Sequence, residues 1–261
     1  MQTVTSKDGT TLAYDRLGDG PPVVLVHGGM VQRADNAPVA ELLAEHFTVI
    51  NYDRRGRGDS GDTPPGGLAR EIEDLETIVA EAGGSPRLYA ISSGGALALE
   101  AVAAGLPVSR LALYEVPYFE SQEMRERGRQ YGIDVAKAAA EGRRADAVEL
   151  FLGLVGLPPD MIAGMRHAPH WPGMEANALT LPYDAEALGM ASRGGALPEQ
   201  TVASVKVPTL VLDGGASEAW MRDMQQRIAK TVPNAEYATL EGQTHDVSPD
   251  VLTPALVRFF S

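Results

Sequence analysis

The chain has 261 residues, 44% of them hydrophobic, with 22 Lys and Arg against 35 Asp and Glu for a net charge of −13. This is the composition of a packed globule, long enough for one large domain or one domain with a sizeable insertion. The acidic balance repels phosphate backbones and anionic lipid, which argues against nucleic acid and membrane surfaces as partners, and the lack of cysteine excludes disulfides, thiolate metal sites and a cysteine nucleophile.

The polar start, MQTVTSKDGTT, has no apolar core of the kind a signal peptide needs, and no apolar run reaches the length of a membrane span. A soluble cytoplasmic protein is expected. Residues 3–5 and 10–14 are β-prone and flank Asp8-Gly9, a two-residue hairpin signal. After the loop Gly18-Asp19-Gly20-Pro21-Pro22 comes Val23-Val24-Leu25-Val26, apolar on both faces, as suits the interior of a parallel sheet covered by helices. A helix over 36–45 then leads to a strand over 47–52, and a helix over 69–82 to a strand over 87–91. An Ala- and Leu-rich helix over 94–104 leads to a strand over 110–114. The alternation returns late, with a strand over 207–212, a helix over 218–230, a strand over 236–240 and a helix over 249–260. Alternating strands and helices predict a parallel α/β sheet. Between them, residues 117–205 show helical periodicity only, as in 145–155, where Val148, Leu152 and Val155 share one side. A helical insertion into an α/β core is expected.

Four segments carry chemistry. In Leu88-Tyr89-Ala90-Ile91-Ser92-Ser93-Gly94-Gly95, a serine stands between a strand and a helix, with small residues two before and two after. That spacing fits a nucleophile elbow, a turn so sharp that strand and helix nearly touch. Ser92 has this flanking; Ser93 would put Ile91 in a small-residue position. A helix-capping serine is the other reading of the same residue. The second segment is Val26-His27-Gly28-Gly29-Met30 after the first buried strand, and the third is Glu241-Gly242-Gln243-Thr244-His245 after the last. The fourth, Tyr52-Asp53-Arg54-Arg55-Gly56-Arg57-Gly58-Asp59-Ser60-Gly61, contains the spacing G-x-G-x-x-G. A dinucleotide site needs its third glycine inside an opening helix, whereas Gly61 runs into Asp62-Thr63-Pro64-Pro65-Gly66-Gly67, a loop.

In combination these segments resemble the α/β-hydrolase superfamily over residues 1–116 and 206–261, with 117–205 in the place of the helical lid that many members carry. The resemblance implies a mostly parallel eight-stranded sheet with the lid inserted after strand six and the active site at the strand C-terminal edge. Ser92 is then the nucleophile and His245 the base, in the family's chain order. The oxyanion hole falls to the backbone N–H groups of Ser93 and of Gly29, with Met30 the alternative to Gly29. The family's acid usually follows strand seven, where this chain has Ser217, which cannot carry the charge. Glu115, ending the strand beside the nucleophile's strand, is the substitute favoured here, with Asp213 and Glu218 as alternatives.

These residues predict a cofactor-free serine hydrolase acting on a small-molecule acyl substrate, an ester, lactone or thioester of small to medium size. Carbon–carbon bond hydrolysis or perhydrolysis on the same triad, or a non-hydrolytic ligand-binding member, are the alternatives. His167 and His170 lack the carboxylate or thiolate company of a metal site. The apolar residues of the insert, among them Met165, Met174 and Trp171, are expected to build its own core and to face the catalytic edge as a pocket.

Overall fold

The computed structural model describes all 261 residues. The chain opens with strands β1 (Gln2–Thr5), β2 (Thr11–Leu17) and β3 (Pro22–Val26), followed by α1 (Ala37–Leu43), β4 (Thr48–Tyr52), α2 (Leu68–Glu81), β5 (Arg87–Ile91), α3 (Ser93–Ala103) and β6 (Arg110–Tyr114). Seven helices and one 3-10 turn then intervene without a strand: α4 (Gln122–Ala140), α5 (Arg144–Leu154), α6 (Pro159–Met165), α7 (Trp171–Asn177), the turn Ala178–Thr180, α8 (Leu181–Ala187), α9 (Met190–Arg193) and α10 (Glu199–Ser204). The chain ends with β7 (Thr209–Gly214), α11 (Ala219–Thr231), β8 (Ala235–Leu240) and α12 (Pro249–Phe260).

The eight strands form one sheet in the order β1-β2-β4-β3-β5-β6-β7-β8. The pairs β1–β2 and β2–β4 are antiparallel and the other five are parallel. Successive residues of the central strands serve opposite faces, as the two-residue period of a strand requires. Val24, Val26, Leu88, Ala90, Leu111 and Leu113 enter the larger core, with α2, α3 and α11. Val23, Leu25, Tyr89, Ala112 and Tyr114 enter the smaller one, with α1 and α12. The apolar character of these strands on both faces follows from being covered twice. The larger core runs without a break into the insertion, joining Leu97 and Leu99 of α3 to Tyr131, Val135, Leu181 and Met190.

Two expectations need correction. Asp8-Gly9 is part of a longer connection: Ser6 N donates to Thr10 O at 2.8 Å, Gly9 N to Ser6 O at 2.9 Å, and the Asp8 carboxylate accepts from Thr10 N. An Asp side chain that closes its own turn removes the need for a two-residue loop. Strand β7 starts later than its apolar run and ends on Asp213 and Gly214. Pro208 contributes only its carbonyl, to Leu111 N, and a proline cannot donate to the ladder.

Candidate active site

Parallel pairing brings the C-terminal ends of β3, β5, β6, β7 and β8 to one edge. Ser92 N donates to Tyr114 O at 3.0 Å and Glu115 N to Leu212 O at 3.1 Å, so the residue after each strand is held by its neighbour. Ser92 alone separates β5 from α3, with φ 58° and ψ −130°. L-residues rarely adopt such a backbone, and it persists only where the surroundings hold it. The tightness is visible in two glycines. A Cβ on Gly94 would lie 2.4 Å from the His27 carbonyl oxygen, and one on Gly28 would lie 2.9 Å from Ser92 Cβ. Gly94→Ala is therefore expected to cost about 1–3 kcal/mol of stability, read as a lower urea midpoint; an unchanged midpoint would contradict the close approach. The Ser92 side chain makes no capping hydrogen bond, so nothing in the geometry favours the capping alternative. Ser92 is partly open, whereas Ser93 is buried and donates its hydroxyl to Asp184 at 2.8 Å.

Glu115 also has positive φ, 45°, and is fully buried. One oxygen, Oε2, lies 2.9 Å from His245 Nδ1. The other, Oε1, accepts from Gly214 N at 2.9 Å and from the Ser217 hydroxyl at 2.5 Å. Burial pushes the Glu115 carboxyl up, but the donors from His245, Ser217 and Gly214 outweigh it and hold the group below its ordinary value. A buried carboxylate accepting at Oε2 places the His245 proton on Nδ1 and leaves Nε2 as the free acceptor. The supports extend outward: Tyr114 donates to Thr244 O at 2.5 Å, anchoring the loop that carries His245. Gln225 of α11 both accepts from Val116 N and donates to Val116 O, each at 3.0 Å. The alternative acids are engaged elsewhere. Asp213 accepts from the Tyr237 hydroxyl at 2.6 Å and Glu218 from Trp220 Nε1 at 2.5 Å. Ser217, at the usual acid position, reaches the site by donating to Glu115. No hydrogen bond joins Ser92 to His245 in this resting arrangement; such contacts commonly tighten only with substrate.

Behind the elbow lies a buried ionic network that the sequence reading missed. Arg54, Arg55 and Arg57 are among the largest fully buried side chains. Arg54 pairs with Glu71 at 2.6 Å and Asp184 at 2.9 Å, Arg57 with the same two carboxylates, and Arg55 with Asp74 and Asp8. The signal was present in α2, where Glu71 and Asp74 lie on the inward helical stripe with Leu75, Ile78 and Val79. Acids on a buried face require cationic partners. His27 is wholly buried too. Burial, reinforced by Arg57 and Arg54, pushes its pKa well below the usual histidine value. The ring is therefore neutral, with Nε2 accepting from Arg54 N at 3.2 Å and Nδ1 facing Gly28 O at 2.9 Å.

Burial pushes the Asp184 carboxyl up, but Arg57 and Arg54 overcome it, so this group, like Glu115, ionises below its ordinary range. Carboxyls that bind protons less tightly when folded add stability above their unfolded pKa, near 4, and lose it as pH falls through the folded value. The urea midpoint is expected to drop steeply below about pH 4. A midpoint constant down to about pH 2.5 would contradict the paired state of these acids.

His167 and His170 are both exposed, and no group of three or more His, Asp or Glu side chains is arranged to hold a metal. A cleft of about 640 Å³ between α4 and α5 is lined largely by polar and charged residues, including Arg127, Asp134, Lys137 and Arg143, and does not reach Ser92. Trp171 and Met190 are buried within the insertion, and Met161 is exposed. No helix is long and apolar enough to cross a membrane.

A family model described as "Alpha/beta hydrolase family" matches residues 23–256. Among solved structures, an alpha/beta hydrolase from Sphaerobacter thermophilus is 52% identical, with a TM-score of 0.88 and 100% of both chains covered. A thermophilic esterase from Thermogutta terrifontis is 25% identical, with a TM-score of 0.73 and again 100% of both chains covered. The uncharacterized hydrolase YraK of Bacillus subtilis is 34% identical over 98 residues, 34% of each chain. The aligned part spans 14% to 34% of the length of such curated relatives.

Proposed function

The chain belongs to the alpha/beta hydrolase family, and on that premise we propose that it is a serine hydrolase cleaving a small to medium apolar ester, lactone or thioester through an acyl-enzyme. The observation that carries this reading is the buried Glu115 carboxylate bonded to His245 Nδ1 at the sheet edge where Ser92 stands in its strained turn. Ser92 Oγ attacks the acyl carbonyl while His245 Nε2 takes the hydroxyl proton. Glu115 fixes the tautomer and stabilises the imidazolium that forms. The N–H groups of Ser93 and Gly29 donate to the developing oxyanion. The Ser93 N–H heads α3, where no carbonyl lies one turn behind to claim it. His245 then protonates the leaving group, and a water it deprotonates releases the acid from Ser92. The resemblance to an esterase is compatible with an ester as substrate. Residues 117–205 are proposed as the lid that shapes the acyl site.

The test is a panel of p-nitrophenyl esters of increasing acyl length, with lactones and thioesters alongside and with product analysis. Hydrolysis with a burst of alcohol release is expected. Turnover only of a diketone, or only with peroxide, would move the chemistry to carbon–carbon cleavage or perhydrolysis on the same residues. No turnover of any class would overturn the reading.

A further inference from the structure

Two side chains from the insertion reach the turns that carry the proposed oxyanion donors. Asp184 of α8 is buried and accepts the Ser93 hydroxyl at 2.8 Å. Its second oxygen lies against Gly29, where a Cβ would sit 3.1 Å away. Asn177, at the end of α7 and also buried, donates from Nδ2 to Met30 O at 3.3 Å. Met30 has φ 63°, a left-handed backbone that a non-glycine residue keeps only when its surroundings hold it. The two residues are tied together: Arg57 pairs with the Asp184 carboxylate at 2.8 Å and donates to Thr180 Oγ1 at 3.0 Å, and the Thr180 hydroxyl donates to the Asn177 backbone carbonyl at 2.8 Å.

We propose that Asp184, assisted by Asn177, is a positioning residue for the oxyanion hole, through which the insertion sets the Ser93 and Gly29 N–H groups. The inference rests on the serine-hydrolase reading above. Oxyanion donors accelerate acyl transfer when they stand in place before charge develops, so that no reorganisation accompanies the reaction. A lone carboxylate beside the hole would oppose that charge. Here Asp184 and Glu71 are matched by Arg54 and Arg57, so the network positions the donors while its charges cancel. Asp184 is linked to one donor residue by its hydroxyl and lies against the other, and Asn177 holds the residue that follows.

The test compares Ser93→Ala, which removes one link and leaves the ion pairs intact, with Asn177→Ala and Asp184→Asn. The measurements are kcat and KM on a p-nitrophenyl ester and the Ki of an alkyl boronic acid, which forms a tetrahedral adduct with a serine nucleophile. Each variant is expected to lose about tenfold in kcat, less than the 10²–10³ for deleting a donor outright. KM should stay within about twofold and the boronate Ki should rise in step with the loss in kcat/KM. A purely structural role would lower the active fraction and leave the Ki of the folded enzyme unmoved. If Asp184→Asn does not fold, the other two variants decide. Unchanged kcat and Ki in folded Ser93→Ala and Asn177→Ala, or a rise in KM alone, would overturn the inference and leave the hydrolase reading standing. A wild type that neither turns over ester nor binds boronate would overturn both.

Discussion

Ser92→Ala is expected to lower turnover by at least about 10⁴-fold, in line with the large cost of removing a serine nucleophile, while the protein stays folded. The substitution deletes one oxygen from a partly open side chain that makes no capping bond, so no buried partner is left unsatisfied. The strained backbone is retained, because its hydrogen bonds to Tyr114 and Gly95 come from main-chain atoms. Ser93→Ala should be far milder, since the role proposed for Ser93 uses its N–H directly and its hydroxyl only indirectly. Steady-state kinetics on one ester, with circular dichroism as the folding control, separate the two. Dead Ser93→Ala beside active Ser92→Ala would shift the elbow by one residue.

Glu115→Gln is expected to cost on the order of 10²–10⁴ in kcat, the upper bound being that of the acid-to-amide change in the serine-protease template. The amide keeps the shape, and its oxygen can still accept from Gly214 N and Ser217. That arrangement turns the NH2 group toward His245 Nδ1, which must then become the acceptor. The proton moves to Nε2, the atom needed to receive the Ser92 proton, and no charge remains to stabilise the imidazolium. Asp213→Asn and Glu218→Gln should each cost much less, because those carboxylates meet Tyr237 and Trp220. Full turnover in Glu115→Gln, or a larger loss in either of the other two, would reassign the acid.

The parallel core was legible because its strands are apolar on both faces and its helices follow at regular intervals. The sharp strand-to-helix turn at Ser92 was legible because steric closeness demands small residues at fixed offsets. Gly94 fits that account, and so does Gly28, in the segment that carries Gly29, where an added Cβ would lie 2.9 Å from Ser92 Cβ. The Glu115–His245 contact could be anticipated from two facts: Ser217 lacks a charge, and parallel strands end on one edge. That Ser217 would donate to Glu115 was not legible, since it depends on loop geometry. Nor was the fate of the Arg54–Arg57 segment. Its partner Asp184 is 130 residues from Arg54 in sequence, on a short helix whose pattern gives no sign of what it faces. The insertion looked separable by periodicity alone. Its apolar side chains share one core with α3, and its polar ones reach the turn at Met30. Long-range pairing of this kind leaves no periodic trace.

The central claim, a nucleophilic Ser92, is tested most directly by exposing the protein to a fluorophosphonate and mapping the adduct by mass spectrometry. One stoichiometric adduct on the peptide holding Ser92 is expected, lost in Ser92→Ala and retained, formed more slowly, in Glu115→Gln. No adduct on the folded wild type, or an adduct that persists in Ser92→Ala, would contradict the account.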